Sequence, residues 1–309
     1  MELLYQRDIY GQTLVELGRK NKNIVVLDAD LSSSTRTALF AREFPERFFN
    51  FGVAEQNMMA TAAGLASCGK IVFVSTFALF ATGRAWDQVR NSICYNNFNV
   101  KIVASHAGIT VGEDGASHQA IEDIAVMRCI PNMTIIVPCD GPETREAVLK
   151  AVEKEGPVYI RLGRAKFPTI ENKKQFEIGK AYSLCEGEDL TIVACGIMVN
   201  TALNAAAMLR KEHINAAVLN MHTIKPLDKE TLLKYAHLTK YFIVCEEHMT
   251  TGGLGSAVAE FLSEMYPIPV IRIGIGDRFG QSGNPEELLK EYRLTAEDIV
   301  EKAKVLLKK

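Results

Sequence analysis

The sequence has little of several features that would place it in a special class of protein. Its 309 residues carry 35 Lys and Arg against 37 Asp and Glu, a formal net charge of -2. There is therefore no basic excess to neutralise a nucleic-acid backbone or to hold an anionic membrane surface. The longest apolar stretch, around residues 71–81, is interrupted by Ser75 and Thr76 and is too short to span a bilayer. These absences argue against nucleic-acid and membrane partners.

Paired cysteines and a secretory signal are also missing. The seven cysteines are odd in number, and no two of them form a Cys-x-x-Cys pair. We interpret them as free thiols of a reducing compartment, with neither a disulfide framework nor a zinc site. The first residues do not follow the order of charged, apolar and small-residue regions that marks a cleaved signal. The expected location is the cytoplasm, and no metal ligands are predicted in this chain.

What the sequence does contain is typical of a globular protein of about two domains. Hydrophobic residues make up 48% and charged residues 23% of the chain. Short β-branched runs alternate with segments whose apolar residues lie three and four apart, which predicts mostly parallel sheets covered by helices on both faces. After Arg164 the sequence becomes polar and loses its period. We predict an α/β fold of two doubly wound domains, residues 1–165 and 189–309, joined by a linker over 166–188.

The predicted elements follow from the same pattern. The strands are predicted at Ile24–Leu27, Phe48–Phe51, Ile71–Ser75, Lys101–Ala104, Thr134–Val137, Val158–Ile160, Leu190–Cys195, Ala216–Leu219, Tyr241–Cys245 and Val270–Ile273. Helical segments are predicted at Met58–Ala66, Ala85–Cys94, Asn200–Lys211, Leu254–Glu264 and Ala296–Leu307.

Ligands of open parallel sheets bind beyond the carboxyl ends of the strands, so the residues that follow each predicted strand are candidates. In the first domain these are an acid, two aromatic residues, two histidines and two arginines: Glu55, Phe77, Phe80, His106, His118, Arg161 and Arg164. Taken singly, each has a simpler interpretation as a helix cap, a core residue or a turn residue. Together they predict a ligand site. In the second domain Glu246, His248 and the glycines of 252–255 are expected to be structural.

Several blocks of the sequence occur in an order and spacing that we know from one family. They are Ala29-Asp-Leu-Ser-x-Ser34, Phe51-Gly-Val-Ala-Glu55-Gln-Asn, Ser75-Thr-Phe-x-x-Phe80, Ala85-x-Asp87-Gln-x-Arg90, Gly112-Glu-Asp-Gly-x-Ser-His118-Gln, Pro131-Asn-Met-Thr, Ile224-Lys-Pro-Leu-Asp228 and Gly252-Gly-Leu-Gly-Ser-Ala-Val-Ala-Glu260. Over essentially the whole chain the sequence resembles the carboxyl-terminal half of transketolases, which are thiamine diphosphate enzymes. The resemblance implies a pyrimidine-binding domain followed by a transketolase C-terminal domain.

The resemblance implies roles for three residues toward the cofactor. Glu55 matches the catalytic glutamate that hydrogen-bonds nitrogen N1′ of the cofactor's pyrimidine, where an acid is needed to relay a proton. Phe80 matches the aromatic residue that stacks on the pyrimidine, and Phe77 matches a second ring of the same pocket. These rings would add contact area and exclude water from the reacting centre.

Further matches concern the substrate. His106 resembles the histidine near the substrate hydroxyls and the cofactor's amino group, which gives it a catalytic and a substrate-binding role. Asp114 resembles the acid that reads the hydroxyl stereochemistry of the donor sugar. The residues that match the clamp for a sugar-phosphate tail are Arg7, Ser34, His118 and Arg164. Arginine suits this task because its planar guanidinium group pairs with phosphate oxygens.

The departures from the family pattern concern the missing half of the cofactor site. Complete transketolases bind the diphosphate through Mg²⁺ or Ca²⁺ and a Gly-Asp-Gly…Asn motif, and no Gly-Asp-Gly occurs in this sequence. The expectation is a separate N-terminal subunit that carries the diphosphate and metal, in an α2β2 heterotetramer. Gly83 replaces the tyrosine that many members have near the pyrimidine, and Ala116-Ser117 replaces the commoner Pro-Thr.

The function implied is transfer of a two-carbon ketol unit from a ketose phosphate to an aldose phosphate, together with the partner. Three alternatives remain at this point. The chain could belong with enzymes that condense pyruvate with a triose phosphate, as 1-deoxyxylulose-5-phosphate synthase does, or with 2-oxo acid dehydrogenase beta subunits. It could also be a non-catalytic scaffold that keeps the fold. The sequence does not decide between pentose interconversion and a dedicated sugar catabolism.

Overall fold

The computed structural model describes residues 2–171 and 175–307. Residues 172–174 of the predicted linker, and the terminal residues 1 and 308–309 of the two predicted domains, lie outside the described residues. The strands are β1 (Leu3–Tyr5), β2 (Ile24–Asp28), β3 (Phe48–Asn50), β4 (Ile71–Ser75), β5 (Val100–Ala104), β6 (Thr134–Ile136), β7 (Val158–Arg161), β8 (Lys166–Pro168), β9 (Tyr182–Cys185), β10 (Leu190–Ala194), β11 (Ala216–Asn220), β12 (Thr223–Lys225), β13 (Phe242–Met249) and β14 (Val270–Ile275).

The helices alternate with these strands, as the sequence pattern predicts. They are α1 (Gln6–Lys20), α2 (Ser32–Thr35), α3 (Ala38–Glu43), α4 (Glu55–Ser67), α5 (Asp123–Arg128), α6 (Gly141–Glu153), α7 (Met198–Arg210), α8 (Lys229–Thr239), α9 (Leu254–Met265), α10 (Pro285–Glu291) and α11 (Ala296–Leu307). Among the helices that the structure describes, none combines the length and the apolar character needed to cross a membrane. Within the segment predicted as helical, Ala85–Cys94, residues Gln88–Cys94 form a π-helix. The hydrogen bond from Tyr95 N to Arg90 O, five residues earlier, is typical of such a helix.

The first sheet has seven strands in the order β12-β6-β7-β5-β4-β2-β3, all parallel to their neighbours except β12. Its central strands β2, β4, β5 and β7 are buried on both faces, which explains their largely apolar sequence, whereas the edge strand β3 is partly exposed. In β2, Ile24 and Val26 pack in one core cluster with residues of α1 such as Leu14. Val25 and Leu27 point the other way and pack in a second cluster with α4 residues such as Met58. Helices therefore cover both faces.

The second sheet has five strands in the order β14-β13-β10-β11-β9, and only β9 runs antiparallel to its neighbour. On one face a separate core cluster joins β10 with residues of α7 and α11, among them Ala202, Leu209 and Ile299. Asp228 begins α8 by accepting a hydrogen bond from Thr231 N, a typical N-cap. The prediction of an α/β fold with two mostly parallel sheets is confirmed.

The segment predicted as a linker, 166–188, carries two strands. In the described part of this segment, β8 pairs antiparallel with β1, with Leu3 opposite Pro168, and β9 forms the edge of the second sheet beside β11. Strands of three and four residues at an edge are too short to give a periodic pattern, so the sequence analysis missed them. It also missed β12, which lies between second-domain strands in the chain but pairs with β6 of the first sheet.

Candidate active site

The predicted site residues lie at the carboxyl edge of the first sheet, beyond five adjacent strands. In order along the sheet, Arg164 follows β7, His106 follows β5, Phe77 follows β4, Ser34 follows β2 and Glu55 follows β3. The backbone pairing of β4 and β5 continues past the strand ends, because Ser105 N donates to Thr76 O and Ala78 N donates to Ser105 O at 2.7 Å. This extra pairing fixes the two loops side by side.

Four rings form a cluster in this position, here called the ring cluster: Phe77, Phe80, His106 and His118. The rings of Phe77 and His106 are stacked, with centroids 3.8 Å apart and planes 18° apart. Phe80 lies 5.8 Å from Phe77, also stacked, and meets His118 edge-on at 5.4 Å. The structure thus brings together the two aromatic residues predicted for the cofactor and the two histidines predicted for the substrate.

His106 has an unusual backbone and an unusual charge state. Its φ is 60°, in the left-handed region that few non-glycine residues adopt and that is often found at functional sites. Its ring nitrogen Nδ1 lies 2.9 Å from Ser105 Oγ. Burial, followed by the positive charges of Arg7, Arg164 and His118, lowers the pKa of His106 to about 3. The ring is therefore neutral at physiological pH and can exchange hydrogen bonds without carrying charge.

Glu55 is the first residue of α4 and is only 4% exposed. Its Oε1 accepts a hydrogen bond from Arg84 Nη1 at 3.0 Å, and this ion pair joins a buried acid to a half-exposed arginine. The Arg84 guanidinium carbon also lies 4.1 Å from the centroid of the Phe80 ring, in cation–π geometry. Arg84 therefore connects the acid to the ring cluster. Gln56 Nε2 donates to Arg84 O and ties the backbone of this turn to α4.

The residues predicted to clamp a phosphate are brought into the same neighbourhood. Arg7 Nη1 donates to Ser34 O at 3.4 Å, and burial lowers the pKa of Arg7, with the nearby Arg36 charge acting in the same direction. Arg164 Nη1 donates to Val111 O at 2.8 Å. Both Arg7 and Arg164 act electrostatically on His106. Two guanidinium groups in one neighbourhood favour an anion, although Arg164 Nη1 also pairs with the exposed Glu113 carboxylate at 3.0 Å, which an anion would have to displace.

The segment that contains Ser34 is held in position by the buried side chain of Asp28. Asp28, at the end of β2, accepts hydrogen bonds from Leu31 N at 2.7 Å and from the hydroxyl groups of Thr35 and Thr37. Burial raises the pKa of Asp28. With both of its oxygens bound to the loop after β2, Asp28 fixes the loop that carries Ser34 and does not itself face the pocket.

Asp114 and His118 lie on one loop that bends at two glycines. Gly112 has a φ of 85° and Gly115 a φ of 73°, values that a side chain would disfavour. His118 reaches the ring cluster and its Nδ1 lies 2.9 Å from Ser117 Oγ. Asp114 is exposed on the same loop and is not a member of the ring cluster. The structure thus places His118 in the ring cluster and leaves Asp114 exposed outside it.

The pocket fits the pyrimidine end of thiamine diphosphate. A buried carboxyl group stands next to aromatic rings, and Thr76 Oγ1 is buried with no hydrogen-bond partner among the described residues. Gly83, which replaces the tyrosine expected near the pyrimidine, is exposed, and a side chain there would meet no atom within 4 Å. The diphosphate end of the cofactor is bound through a metal ion in the family. Within residues 2–171 and 175–307, no group of three or more His, Cys, Asp or Glu residues could hold such an ion.

The sequence analysis missed two residues of this region. Arg84 follows Phe80 by four residues, a helical spacing that could have placed it on the same face, but its contact with Glu55 spans 29 positions of the chain. Gln119 stands directly after His118 and is 2% exposed, and its partners include a residue 162 positions away. No local pattern reveals contacts of that range.

Two family models match the chain. The model for "Transketolase, pyrimidine binding domain" matches residues 4–169, and the model for "Transketolase, C-terminal domain" matches residues 179–299. These matches, with the α/β fold and the pocket at the first sheet, place the protein in the class of thiamine diphosphate-dependent enzymes. The chain belongs to the transketolase family, and it corresponds to the two C-terminal domains of that family.

Several similar proteins are about as long as this chain, which is about half the length of a complete transketolase. A solved structure of a split-gene transketolase, described as an inactive beta4 tetramer, is 54% identical, has a TM-score of 0.90 and is covered over 98% of its length by 99% of this chain. A 6-deoxy-6-sulfo-D-fructose transketolase subunit of Clostridium sp. is 43% identical over 98% of this chain and 94% of the relative. An apulose-4-phosphate transketolase subunit of Phocaeicola vulgatus is 42% identical over 98% of this chain and 97% of the relative.

The alternative of a 1-deoxyxylulose-5-phosphate synthase is less well supported. The synthase of Halothermothrix orenii is 38% identical, and this chain spans only 47% of its length. The split transketolase subunits are more similar and agree in length. Within the transketolase family, the chain therefore groups with the split transketolase homologues.

Proposed function

We propose that this chain, together with a separate N-terminal subunit, transfers a two-carbon ketol unit from a ketose phosphate to an aldose phosphate by means of thiamine diphosphate. The observation that carries the proposal is the buried Glu55 carboxyl group, which stands beside the ring cluster and has a side-chain partner in Arg84. An acid held this way can exchange its partner for a ring nitrogen of the cofactor, which an acid held by backbone amides cannot do.

When bound, thiamine diphosphate supplies the heterocycle that takes up the ketol unit and stabilises the resulting negative charge. Glu55 would hold and move a proton at its carboxyl oxygens, since Oε1 is already a hydrogen-bond acceptor in this structure. Phe77 and Phe80 would orient the pyrimidine and exclude water from the reacting groups. Neutral His106 would donate or accept a hydrogen bond at a substrate hydroxyl and so guide its proton.

The phosphate group of the sugar would bind to Arg7 and Arg164, with Ser34 and His118 as further hydrogen-bond donors. Support comes from the shared electrostatic effect of the two arginines on His106 and from the contact of Arg7 with Ser34. Asp114, exposed on the same loop as His118, would read the hydroxyl stereochemistry of the donor sugar. This arrangement suits substrates that combine several hydroxyl groups with one phosphate.

The proposed partner carries the diphosphate and its Mg²⁺ or Ca²⁺, in an α2β2 heterotetramer. The proposal is supported by the absence of a Gly-Asp-Gly motif from the sequence and by relatives named as subunits. A relative described as an inactive beta4 tetramer fits a chain that needs a second subunit for activity. The cytoplasm is the proposed location because all seven cysteines are free thiols. The pathway we propose is pentose phosphate interconversion, with a dedicated sugar catabolism as the alternative that the sequence leaves open.

The test is reconstitution with the candidate N-terminal subunit. We expect ketol transfer between sugar phosphates in the presence of thiamine diphosphate and Mg²⁺ from the mixture of both subunits, and none from either subunit alone. Calorimetry with thiamine diphosphate should give weak binding to this chain alone and tight binding to the mixture. Robust turnover by the lone chain would refute the partner requirement, and an inactive mixture that binds the cofactor tightly would refute the reaction.

A further inference from the structure

The loop that carries Asp114 and His118, residues 108–119 and here called the substrate loop, contacts the C-terminal domain at its start, its middle and its end. At its start, Thr110 N donates to Oε1 of Glu247, a buried residue of β13, at 2.7 Å. Gly108 packs so closely against the same carboxyl group that a β-carbon there would overlap it. The first turn of the loop is therefore seated on a residue of the second sheet.

The middle of the substrate loop meets a second loop, residues 276–284, here called the support loop. A β-carbon on Gly115 would overlap Oγ of Ser282 in the support loop. A β-carbon on Gly112 would lie 3.3 Å from Cγ of Pro285, the first residue of α10, and 3.4 Å from Gly283 O. The two glycines that bend the substrate loop are thus also points at which the C-terminal domain packs against it, with the tighter approach at Gly115.

Gln119 ties the end of the substrate loop to the support loop. Its Nε2 donates to Gln281 O at 2.9 Å and to Ile109 O at 3.1 Å, so one amide group joins the start of the substrate loop to the other domain. Gln119 is 2% exposed and is the last residue of the substrate loop, directly after His118. A β-carbon on Gly280 would overlap Gln119 Oε1, so the absence of a side chain at position 280 is what lets the support loop approach this amide group.

We propose that the C-terminal domain holds the substrate loop in its working shape, and that Gln119 is the positioning residue through which the support loop fixes His118. The inference rests on the proposed function in so far as Asp114 and His118 bind the substrate. In this proposal the C-terminal domain acts indirectly: it holds the substrate loop in place and does not itself contact the substrate. The expected signature is a change in substrate affinity, because the loop carries substrate residues while the cofactor acid Glu55 lies on another element.

The test compares two substitutions in the same support loop, Gly280→Ala and Gly276→Ala. A methyl group at position 280 displaces the Gln119 amide, whereas one at position 276 meets no atom within 4 Å, and neither glycine has a positive φ. In the reconstituted enzyme, Gly280→Ala should raise KM for the sugar phosphates about 10-fold with kcat little changed, because small misplacements of binding groups are costly. Gly276→Ala should match the wild type.

Two further measurements separate positioning from a general loss of stability. Hydrogen exchange on the chain alone should accelerate in residues 108–119 of the Gly280→Ala variant and stay unchanged in the first sheet. In the background of Gln119→Ala, adding Gly280→Ala should have no further effect on KM, because the clash needs the glutamine side chain. If Gly280→Ala fails to fold, Gln119→Met keeps the volume, removes the donated hydrogen bonds and should give the same KM increase.

Several results would overturn the inference. They are unchanged exchange in the substrate loop of Gly280→Ala, an effect on kcat without one on KM, or full additivity of the two substitutions. An absence of ketol transfer in the wild-type complex would refute the proposed function alone, because the exchange measurement on the isolated chain would still decide whether the support loop holds the substrate loop.

Discussion

Two buried glutamates occupy comparable places in the two domains and are held in different ways. Glu55 follows β3 of the first sheet and begins α4, and Glu246 lies in β13 of the second sheet and faces the start of α9. They are 4% and 1% exposed. Glu246 accepts hydrogen bonds from Leu254 N and Gly255 N, one on each oxygen. Glu55 accepts from the half-exposed Arg84 side chain.

This difference separates a structural acid from an exchangeable one. The carboxyl group of Glu246 satisfies two amides at a helix N-terminus, where no other acceptor is available to them once they are buried. Arg84, in contrast, reaches water on its own and can release Glu55 at little cost. A position beyond a parallel strand is therefore not enough to identify a functional acid. The hydrogen-bond partners of its carboxyl group show whether the acid is structural or exchangeable.

The largest expected effect tests the exchangeable acid. Glu55→Gln in the reconstituted enzyme should lower the rate of ketol transfer by at least about 100-fold, because an amide cannot relay a proton. The unfolding midpoint of the chain should stay near that of the wild type, since only a pair with a half-exposed arginine is lost. Steady-state kinetics and urea denaturation are the measurements. A variant with nearly full activity would remove the proton relay from Glu55.

The opposite outcome is expected for the structural acid. Glu246→Gln leaves one of the two backbone amides at the start of α9 without its acceptor, which should cost about 2 kcal/mol of unfolding free energy. Activity measured well below the unfolding transition should be unchanged. Urea denaturation combined with the ketol-transfer assay checks both parts. A loss of activity in a fully folded Glu246→Gln protein would break the contrast between the two glutamates.

A pair of arginines extends the comparison to the phosphate clamp. Arg164 at the first sheet and Arg272 in β14 each donate to a backbone carbonyl, of Val111 and of Thr250. Arg164→Ala should raise KM for phosphorylated sugars about 10-fold, since a charged hydrogen bond is worth roughly 1.5 kcal/mol, and Arg272→Ala should not. Kinetics with phosphorylated and unphosphorylated sugars provide the check. Equal effects of Arg164→Ala on both kinds of sugar would contradict the clamp.

The smallest expected effect is an absence of titration. Because burial lowers the pKa of His106 to about 3, its ring stays neutral from pH 8 down to pH 5, unlike a solvated histidine near pH 6.5. The ring signal of His106, assigned by its loss in His106→Asn, should not move over this range in a histidine NMR titration. A midpoint near pH 6.5 would mean that the ring cluster is open to water.

Much of the fold could be predicted because parallel strands buried on both faces leave a clear mark in the sequence. The run Ile24–Asp28 is buried throughout, and its predicted bounds differ from the observed ones by a single residue. The candidate residues at the sheet edge could be named because each lies in or next to a segment that connects a strand to the next element, and their roles were implied by the family resemblance. The ring cluster forms because β4 and β5 are neighbours in the sheet. Their adjacency is expected, since strands that follow each other in the chain usually lie side by side.

The rest could not be predicted because it depends on contacts between distant parts of the chain. The strands β8, β9 and β12 are three or four residues long, and their partners are chosen by the folded sheet edges. The hydrogen bond between Gln119 and Gln281 joins two domains, and no pattern in the sequence around either residue indicates the other. The roles of Glu55, His106 and the arginines remain predictions that the kinetic experiments above address.

The crossing of β12 into the first sheet bears on how this protein can be handled in the laboratory. Lys225 Nζ donates to Arg128 O and Ile130 O, so the crossing is secured by its side chain as well as by the pairing with β6. A fragment that ended near residue 170 would expose the open edge of β6 and invite aggregation. Neither half of the chain should be expressed separately; the two recognised domains form one unit for dissection, crystallisation and design.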